Sequence, residues 1–123
     1  MRNYELEVQR KNTARFIQAD PVRLVLFAQN RIPLADGGFK KGPPTARNPQ
    51  TFRLIPQSDV MPQVQTPDGV QLTPTYVLLG EHEAEMARWD RFSIGEVNFM
   101  IVGPIRPDYT LEAYDRKGDV ARL

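Results

Sequence analysis

The sequence predicts a mainly β protein: a small antiparallel β-barrel or sandwich of six or seven short strands, with a short N-terminal helix and long projecting loops. The length of 123 residues fits one domain with a modest core. Eleven prolines and eight glycines divide the chain into short segments joined by turns. Within those segments apolar residues alternate with a period of two, which is typical of strands.

Residues 1–20 are expected to form an N-terminal arm and a short helix. Asn12 and Thr13 can cap that helix. Pro21 ends it, because the residue before a proline is pushed out of the helical region. Apolar residues at positions 4, 6 and 8 alternate as in a strand, so the first ten residues stay open between an arm, a strand and a longer helix. We favour a mobile arm.

A single β-barrel domain is expected over residues 21–117, followed by a polar C-terminal tail at 118–123. In one apolar run, Phe99 and Ile101 share one face while Met100 and Val102 share the other. The predicted strands are residues 22–27, 52–55, 76–79, 91–94, 97–102 and 109–114.

A hairpin is expected within residues 62–75. Asp68 and Gly69 follow Pro67 and separate two short alternating runs. An Asp-Gly pair in this setting is a hairpin signal, since the glycine supplies the positive φ that the turn needs.

Residues 34–48 form the longest predicted loop, and its centre is basic. That centre reads Gly37-Gly38-Phe39-Lys40-Lys41-Gly42. It lacks the Gly-Lys-Ser/Thr ending of a phosphate-binding loop and precedes a pair of prolines rather than a helix. We interpret it as a flexible loop bearing positive charge. A connector without a function of its own is the alternative.

Few side chains could carry catalysis. The chain has no cysteine and one histidine, and its two serines are Ser58 and Ser93. His82 has no second histidine four residues on, and neither serine lies in a Gly-x-Ser-x-Gly elbow. We therefore expect no enzyme, no cofactor and no metal site.

The overall charge predicts no global attraction to nucleic acid or to membranes. The formal net charge is +1. The charged N-terminal segment does not resemble a signal peptide, and no apolar stretch approaches membrane-spanning length. We expect a protein that is made and used without export and without a membrane partner.

Two groups of residues are candidates for contacts with other chains. Glu81, Glu83 and Glu85 form an acidic rim, which is either simply solvated or faces a basic surface of a partner. Trp89, close to Arg91, either plugs one end of the barrel or anchors an interface, because Trp and Arg are enriched at interface hot spots.

The order of segments along the chain resembles a known family. The segments are ARFIQADPVRLVL, a Gly-Gly loop, NPQTFRLIPQ, TPDGVQLTPTYVLLG and a WDRF segment that leads into an apolar strand. Together, from Ala14 to about Tyr114, they resemble the head-to-tail stopper (head completion or connector) proteins of long-tailed phages, as found in phages of actinobacteria. The WDRF segment departs from the GDRF expected at that place.

The resemblance implies a structural protein of the virion neck, made in the host cytoplasm. Such proteins are small β-barrels that form a ring under the portal and its adaptor, close the DNA exit channel and offer a docking surface to the tail. The implied partners are further copies of the chain, six or twelve in the ring, the portal or adaptor ring, the tail terminator or tail tube, and genomic DNA bound without sequence specificity.

The resemblance also assigns residues to roles. A long loop projects into the channel in stoppers, and the matching element here is residues 34–48. The implied DNA-facing gate residues are Gly37, Gly38, Phe39, Lys40, Lys41 and Arg47. The residues expected at subunit or partner interfaces are Asp68, Gly69, Glu81, Glu83, Glu85, Trp89 and Arg91.

Two other readings stay open. One is a tail terminator or another ring protein of the neck. The other is a small nucleic-acid-binding barrel, which needs aromatic side chains interleaved with basic ones on a sheet face. Five of the eleven aromatic residues instead lie in apolar runs and look like core: Phe27, Phe52, Tyr76, Phe92 and Phe99.

Overall fold

A computed structural model of the chain describes residues 3–108 and 114–123. These residues form an N-terminal helix and a set of short antiparallel strands. The prediction of a mainly β protein is confirmed. Most of the strand predicted at 109–114 lies outside the described residues. The elements are α1 Asn3–Ala19, β1 Val22–Leu24, β2 Phe27–Ala28, β3 Arg31–Pro33, β4 Phe39–Lys41, β5 Thr45–Ala46, β6 Gln50–Pro56, β7 Val64–Gln65, β8 Gln71–Leu72, β9 Tyr76–Glu81, β10 Arg91–Ile94, β11 Val97–Ile101, β12 Arg106–Asp108 and β13 Asp115–Arg122.

Helix α1 is longer than predicted. It takes in most of the segment expected to be a mobile arm, although it ends before Pro21 as predicted. Leu6, Thr13 and Ile17 are buried, a spacing that places them on one helical face. That face packs on β6 and β9. The alternation at positions 4, 6 and 8 was misleading, because only Leu6 of these three is buried.

The main sheet is a curled, open antiparallel sheet rather than a closed barrel. Eight strands follow one another in the order β1-β6-β9-β13-β11-β10-β2-β5, and β12 pairs with β13. The predicted strand 22–27 is divided into β1 and β2, which lie far apart in this order although only Val25 and Leu26 separate them in sequence. The sheet must therefore curl until its two ends come close, and β1 does lie beside β10. The prediction of six or seven strands was too low.

Both faces of the sheet are apolar. Phe99 and Ile101 belong to the larger cluster, where the Phe99 ring stacks on the Phe92 ring with 5.1 Å between centroids. Met100 and Val102 belong to a second cluster on the opposite face. The predicted division of this strand between two faces is thus confirmed. The second cluster is covered by residues of the β7–β8 hairpin and by Trp89.

The C-terminal residues were predicted wrongly as a polar tail. Strand β13 lies between β9 and β11, in the middle of the sheet. Gly118, Val120 and Ala121 are buried there. The segment looks polar because five of the eight residues of β13 are charged, and two of these, Asp115 and Asp119, are themselves buried. Asp119, for example, is neutralised by two hydrogen bonds from Arg106, of 3.0 and 3.2 Å.

Two small hairpins form separate two-stranded sheets that are not paired with the main sheet. Strand β7 pairs with β8, and the turn between them places Gly69 at a φ of 87°, as the Asp-Gly signal predicted. Strand β3 pairs with β4, and neither strand pairs with any other described strand. The long loop predicted at 34–48 therefore contains regular structure.

Candidate functional site

The β3–β4 hairpin is an exposed arm. The side chains from Leu34 to Lys41 are all exposed, and the Phe39 side chain is 62% accessible. The turn is closed by a hydrogen bond of 2.7 Å from the Leu34 N–H to the Gly38 carbonyl. Gly37 takes a φ of 92°, which a residue with a side chain adopts at a cost. The predicted gate residues Gly37 to Lys41 thus run from the turn at the tip of the arm along the whole of β4 to its base.

The base of the arm is fixed by Asn30. Its carbonyl accepts a hydrogen bond of 2.9 Å from the Gly42 N–H. Its side-chain amide donates to the Pro43 carbonyl at 2.7 Å and to the Thr45 hydroxyl at 2.6 Å. Because the chain enters and leaves the arm through these bonds, the arm is a held hairpin rather than a floppy connection.

A cleft of about 450 Å³ lies between the arm, the β7–β8 turn and the segment before β10. It brings together residues that the sequence suggested for two separate roles. Its principal side chains are Phe39, Lys40, Lys41, Asp68, Arg88, Trp89 and Arg91. Three of the gate candidates and three of the interface candidates therefore share one surface.

Asp68 is the acidic side chain of this cleft. Its Oδ2 accepts a hydrogen bond of 2.7 Å from Lys41 Nζ and lies 3.9 Å from Arg91 Nη2. The Lys41–Asp68 pair links the tip of the β7–β8 hairpin to the base of the β3–β4 arm, where Lys41 is paired with Arg31. Both groups are solvent-exposed, so the pair contributes only about 0–1 kcal/mol to stability.

Trp89 forms another wall of the cleft. It is partly buried against the cluster around Met100, and the Arg88 guanidinium lies 4.3 Å from the centroid of its ring. Arg88 Nε also donates to the Val102 carbonyl at 3.0 Å, which fixes its orientation. Trp89 has a φ of 76°, in the left-handed region that favours glycine. The resemblance expected a glycine at this place.

Arg47 lies apart from the other gate candidates. Its Nε and Nη2 donate to the two carboxylate oxygens of Asp90 at 2.8 and 3.2 Å. Asp90 is only 1% accessible and also accepts a hydrogen bond from the Ala87 N–H. The hydrogen bond to Asp90 raises the pKa of Arg47, against a smaller opposing effect of burial. Because its guanidinium is used inside the subunit, we leave Arg47 out of the proposed DNA-facing set.

The acidic rim lies outside the cleft. Glu81 ends β9, and Glu83 and Glu85 follow in the connection to β10; all three are exposed. His82 lies in the same turn, with its Nε2 3.3 Å from the Glu83 carboxylate. The Glu85 backbone N–H donates to the Gln50 side chain at 2.7 Å, which fixes this part of the rim on β6.

Two important residues of this region were missed in the sequence. Arg88 and Asp90 flank Trp89, yet nothing in the local pattern shows that one stacks on the ring and that the other is buried. The partner of Asp90 is 43 residues away along the chain. Only the fold brings that pair together.

The described residues offer cations, aromatic rings and hydrogen-bond donors rather than a set of metal ligands. Within residues 3–108 and 114–123, no group of three His, Cys, Asp or Glu side chains is placed to hold a metal ion. In the same part of the chain, no helix is long and apolar enough to cross a membrane.

Comparisons with known proteins give a likeness to solved structures but no match in sequence. No protein-family model matches the sequence, and no curated protein matches it either. Among solved structures, a chain of the "Virion of native gene transfer agent (GTA) particle" is similar with a TM-score of 0.47 and 15% identity, over 83% of this chain and 94% of that chain. The function proposed below does not rest on this likeness.

Proposed function

We propose that this chain is a structural protein of a phage-type virion and acts as a head-to-tail stopper. Copies of the chain form a ring under the portal or adaptor, close the DNA exit channel and give the tail its docking surface. The order of segments along the chain supports the family, and the exposed β3–β4 arm supports the role.

The arm is the observation that carries the proposal. It is exposed from Leu34 to Lys41, and its strands pair with no other described strand. An exposed hairpin with an aromatic side chain and two lysines adds little to the stability of its own chain, since the Lys41–Asp68 pair is exposed. In a closed ring, symmetry places every copy of such an arm at the same distance from the axis, so a small contribution is repeated in each subunit.

The residues of the arm suit contact with DNA in a channel. Lys40 and Lys41 meet phosphate charge in a way that does not depend on sequence but does depend on salt. Gly37 and Gly38 allow close approach of neighbouring backbones, and Phe39 offers an apolar surface to its symmetry mates. The ladder and the bonds of Asn30 hold the arm in place, as a barrier to DNA requires.

The remaining surfaces are assigned to partners. The acidic rim of Glu81, Glu83 and Glu85 is exposed and rests on a fixed turn, which suits a contact with a basic surface of a neighbouring ring. We assign the head side of the ring to the portal or adaptor and the tail side to the tail terminator or tail tube. The ring has six or twelve copies and lies in the neck of the virion.

The test is DNA retention by heads that lack this protein. Purified chain is added to DNA-filled heads, which are then challenged with nuclease. A shortened variant replaces residues 31–41 by a brief Gly-Ser link; Asn30 and Gly42 are already joined by a hydrogen bond, so the link spans a short gap. A second variant, Lys40→Glu with Lys41→Glu, keeps the length of the arm and reverses its charge.

The proposal expects the intact chain to protect the DNA and the shortened chain to bind heads without protecting. The charge-reversed chain should protect less, most clearly at low salt. Equal protection by the shortened chain would show that the arm is not the gate. Failure of every variant to bind heads, together with binding to isolated tails, would place the chain in the tail as a terminator.

A further inference from the structure

The cleft beside the arm is strongly basic. Four of its side chains are cationic, namely Lys40, Lys41, Arg88 and Arg91, against the single carboxylate of Asp68. Lys41 Nζ already forms an ion pair with Asp68 Oδ2 at 2.7 Å. Arg91 Nη2 lies farther from the same oxygen, at 3.9 Å. Most of the positive charge of the cleft is therefore not neutralised within the described residues, and an anionic ligand would be attracted.

The cleft also offers flat stacking surfaces. The Phe39 ring is largely exposed although it lies at the mouth of a cleft. The Arg88 guanidinium lies over the Trp89 ring, and this guanidinium offers a cationic plane. Bases stack on aromatic rings and on guanidinium planes, so both surfaces suit the same kind of ligand.

Arg91 carries an unused hydrogen-bond donor. Within the described part of the chain, its Nε is the one buried side-chain nitrogen or oxygen that has no hydrogen-bond partner. A buried donor without an acceptor is costly, and a guanidinium recognises phosphate through pairs of donors. A small rotation of Arg91 toward a bound phosphate would satisfy this donor.

We propose that the cleft binds a segment of single-stranded nucleic acid. One base stacks between Phe39 and the layered Arg88–Trp89 pair, and the neighbouring phosphates are held by Lys40 and Arg91. The cleft volume of about 450 Å³ lies within the range of about 300–1,000 Å³ typical of small-ligand pockets, which suits one nucleotide. This proposal concerns the cleft of one subunit and does not rest on ring formation or on the gate.

The observations favour a single strand over two other anionic partners. Duplex DNA keeps its bases stacked inside the helix, so it would leave Phe39 and the Arg88–Trp89 pair unused. An acidic peptide would satisfy the cations but has no need for an exposed aromatic ring beside a stacked guanidinium. Basic and aromatic side chains together are the pattern of single-strand binders.

The experiment is a titration of the full chain with a short oligothymidylate. Trp89 is the only tryptophan of the sequence, so its fluorescence reports on the cleft directly. Anisotropy of a dye-labelled oligonucleotide gives a second readout that does not depend on Trp89. The same titration is made with a duplex of equal length and with polyglutamate, each at low and at physiological salt.

The variants separate stacking, phosphate contact and general charge. Phe39→Leu keeps an apolar side chain and removes the ring, and should weaken binding about five- to 150-fold, the range for loss of one stacked base. Lys40→Gln should weaken binding and lower the slope of log affinity against log salt by about one. Asp68→Asn should strengthen binding, because it removes the one carboxylate of the cleft. Lys11→Gln is the matched control, an equal loss of charge at an exposed position on α1 that does not line the cleft.

Saturable binding of the oligothymidylate, tighter than that of the duplex and of polyglutamate and weakened by Phe39→Leu but not by Lys11→Gln, supports the proposal. Equal affinity for the duplex or for polyglutamate would overturn it, as would an equal effect of Lys11→Gln and Lys40→Gln. Absence of binding in both readouts would also overturn it. The nuclease test on heads is independent, since a stopper can fail to bind oligonucleotides and an oligonucleotide binder can fail to protect heads.

Discussion

Arg47 and Asp90 form a two-pronged ion pair that ties the chain just after β5 to the chain just before β10. The Nε–Oδ2 distance is 2.8 Å and the Nη2–Oδ1 distance is 3.2 Å. The carboxylate is buried while the guanidinium is partly accessible. The pair therefore anchors the return of the exposed arm to the sheet, on the side where the cleft opens.

Removal of either partner should strongly destabilise the fold. Arg47→Met leaves a buried carboxylate without its cation, and Asp90→Ala also removes the acceptor of the Ala87 N–H. We expect a loss of about 3–5 kcal/mol for each change, with Asp90→Ala the larger. Urea denaturation measures the free energy of unfolding. A double variant, Arg47→Met with Asp90→Ala, should lose less than the sum of the two single variants, and simple additivity would contradict the pairing.

Titration of Arg47 should not change the contribution of the Arg47–Asp90 pair to the free energy of unfolding across the neutral pH range. The pKa of Arg47 is raised in the folded chain by the hydrogen bond to Asp90. A raised pKa gives stability that is fully present below the pKa of an unfolded arginine and is lost only as the pH rises through the higher folded value. The difference in unfolding free energy between the native chain and Arg47→Met should therefore stay constant from pH 7 to pH 9, an interval well below the pKa of an arginine in either the folded or the unfolded chain. A marked change in that interval would mean that another group controls the pair.

At position 89, a glycine variant should be more stable than an alanine variant, which is the reverse of the usual order of stability. Both Trp89→Gly and Trp89→Ala lose the packing of the ring, so their difference reports mainly on the backbone. At a φ of 76° alanine is strained and glycine is not. We expect the glycine variant to be more stable than the alanine variant by about 1 kcal/mol in chemical denaturation. An alanine variant of equal or greater stability would show that the turn relaxes when the ring is lost.

A side chain at position 80 should destabilise the fold. A Cβ at this position of β9 would lie 2.7 Å from the Ala84 Cβ and 3.0 Å from the Phe52 ring. Gly80→Ala should therefore cost about 1–3 kcal/mol through overpacking. Gly38→Ala is the matched control, because its nearest atom would be at 3.5 Å, an ordinary contact on the exposed arm. Thermal melting compares the two, and similar melting temperatures would contradict the close packing of β9 against Phe52.

Loss of residues 118–123 should abolish cooperative unfolding. This segment supplies the pairing of β13 with β11 and the buried side chains of Val120 and Ala121. Removal of Leu123 alone is the control, since its side chain is about half exposed and it adds one backbone hydrogen bond to Asn98. Circular dichroism during heating distinguishes the two. A sharp transition in the shorter chain would mean that 118–123 is dispensable for the fold.

Local patterns in the sequence predicted the fold class and several elements. Alternation predicted the two faces of β11, and Asp68-Gly69 predicted the β7–β8 turn, because both depend on neighbouring residues. The long helix was missed because its buried positions are sparse, with Leu6, Thr13 and Ile17 spread over three turns. Strand β13 was missed because its central place is decided by strands that are distant in sequence.

The candidate site was predicted in pieces. Phe39, Lys40 and Lys41 were picked out for their composition, and Trp89 and Arg91 for their residue types. That these residues share a cleft depends on how the β3–β4 arm lies against the β7–β8 turn, with Lys41 reaching Asp68. No local signal encodes that contact, since the partners are 27 residues apart.

The central position of β13 has a consequence for how the chain reaches its fold during synthesis. Strands β1, β6 and β9 form one part of the sheet, and β11, β10, β2 and β5 form another; β13 is the strand that joins them. Until the ribosome has released this strand, β9 and β11 each present an unpaired edge, which is a template for pairing with the wrong chain. The nascent chain should therefore be most prone to aggregate before β13 is available to pair with both edges.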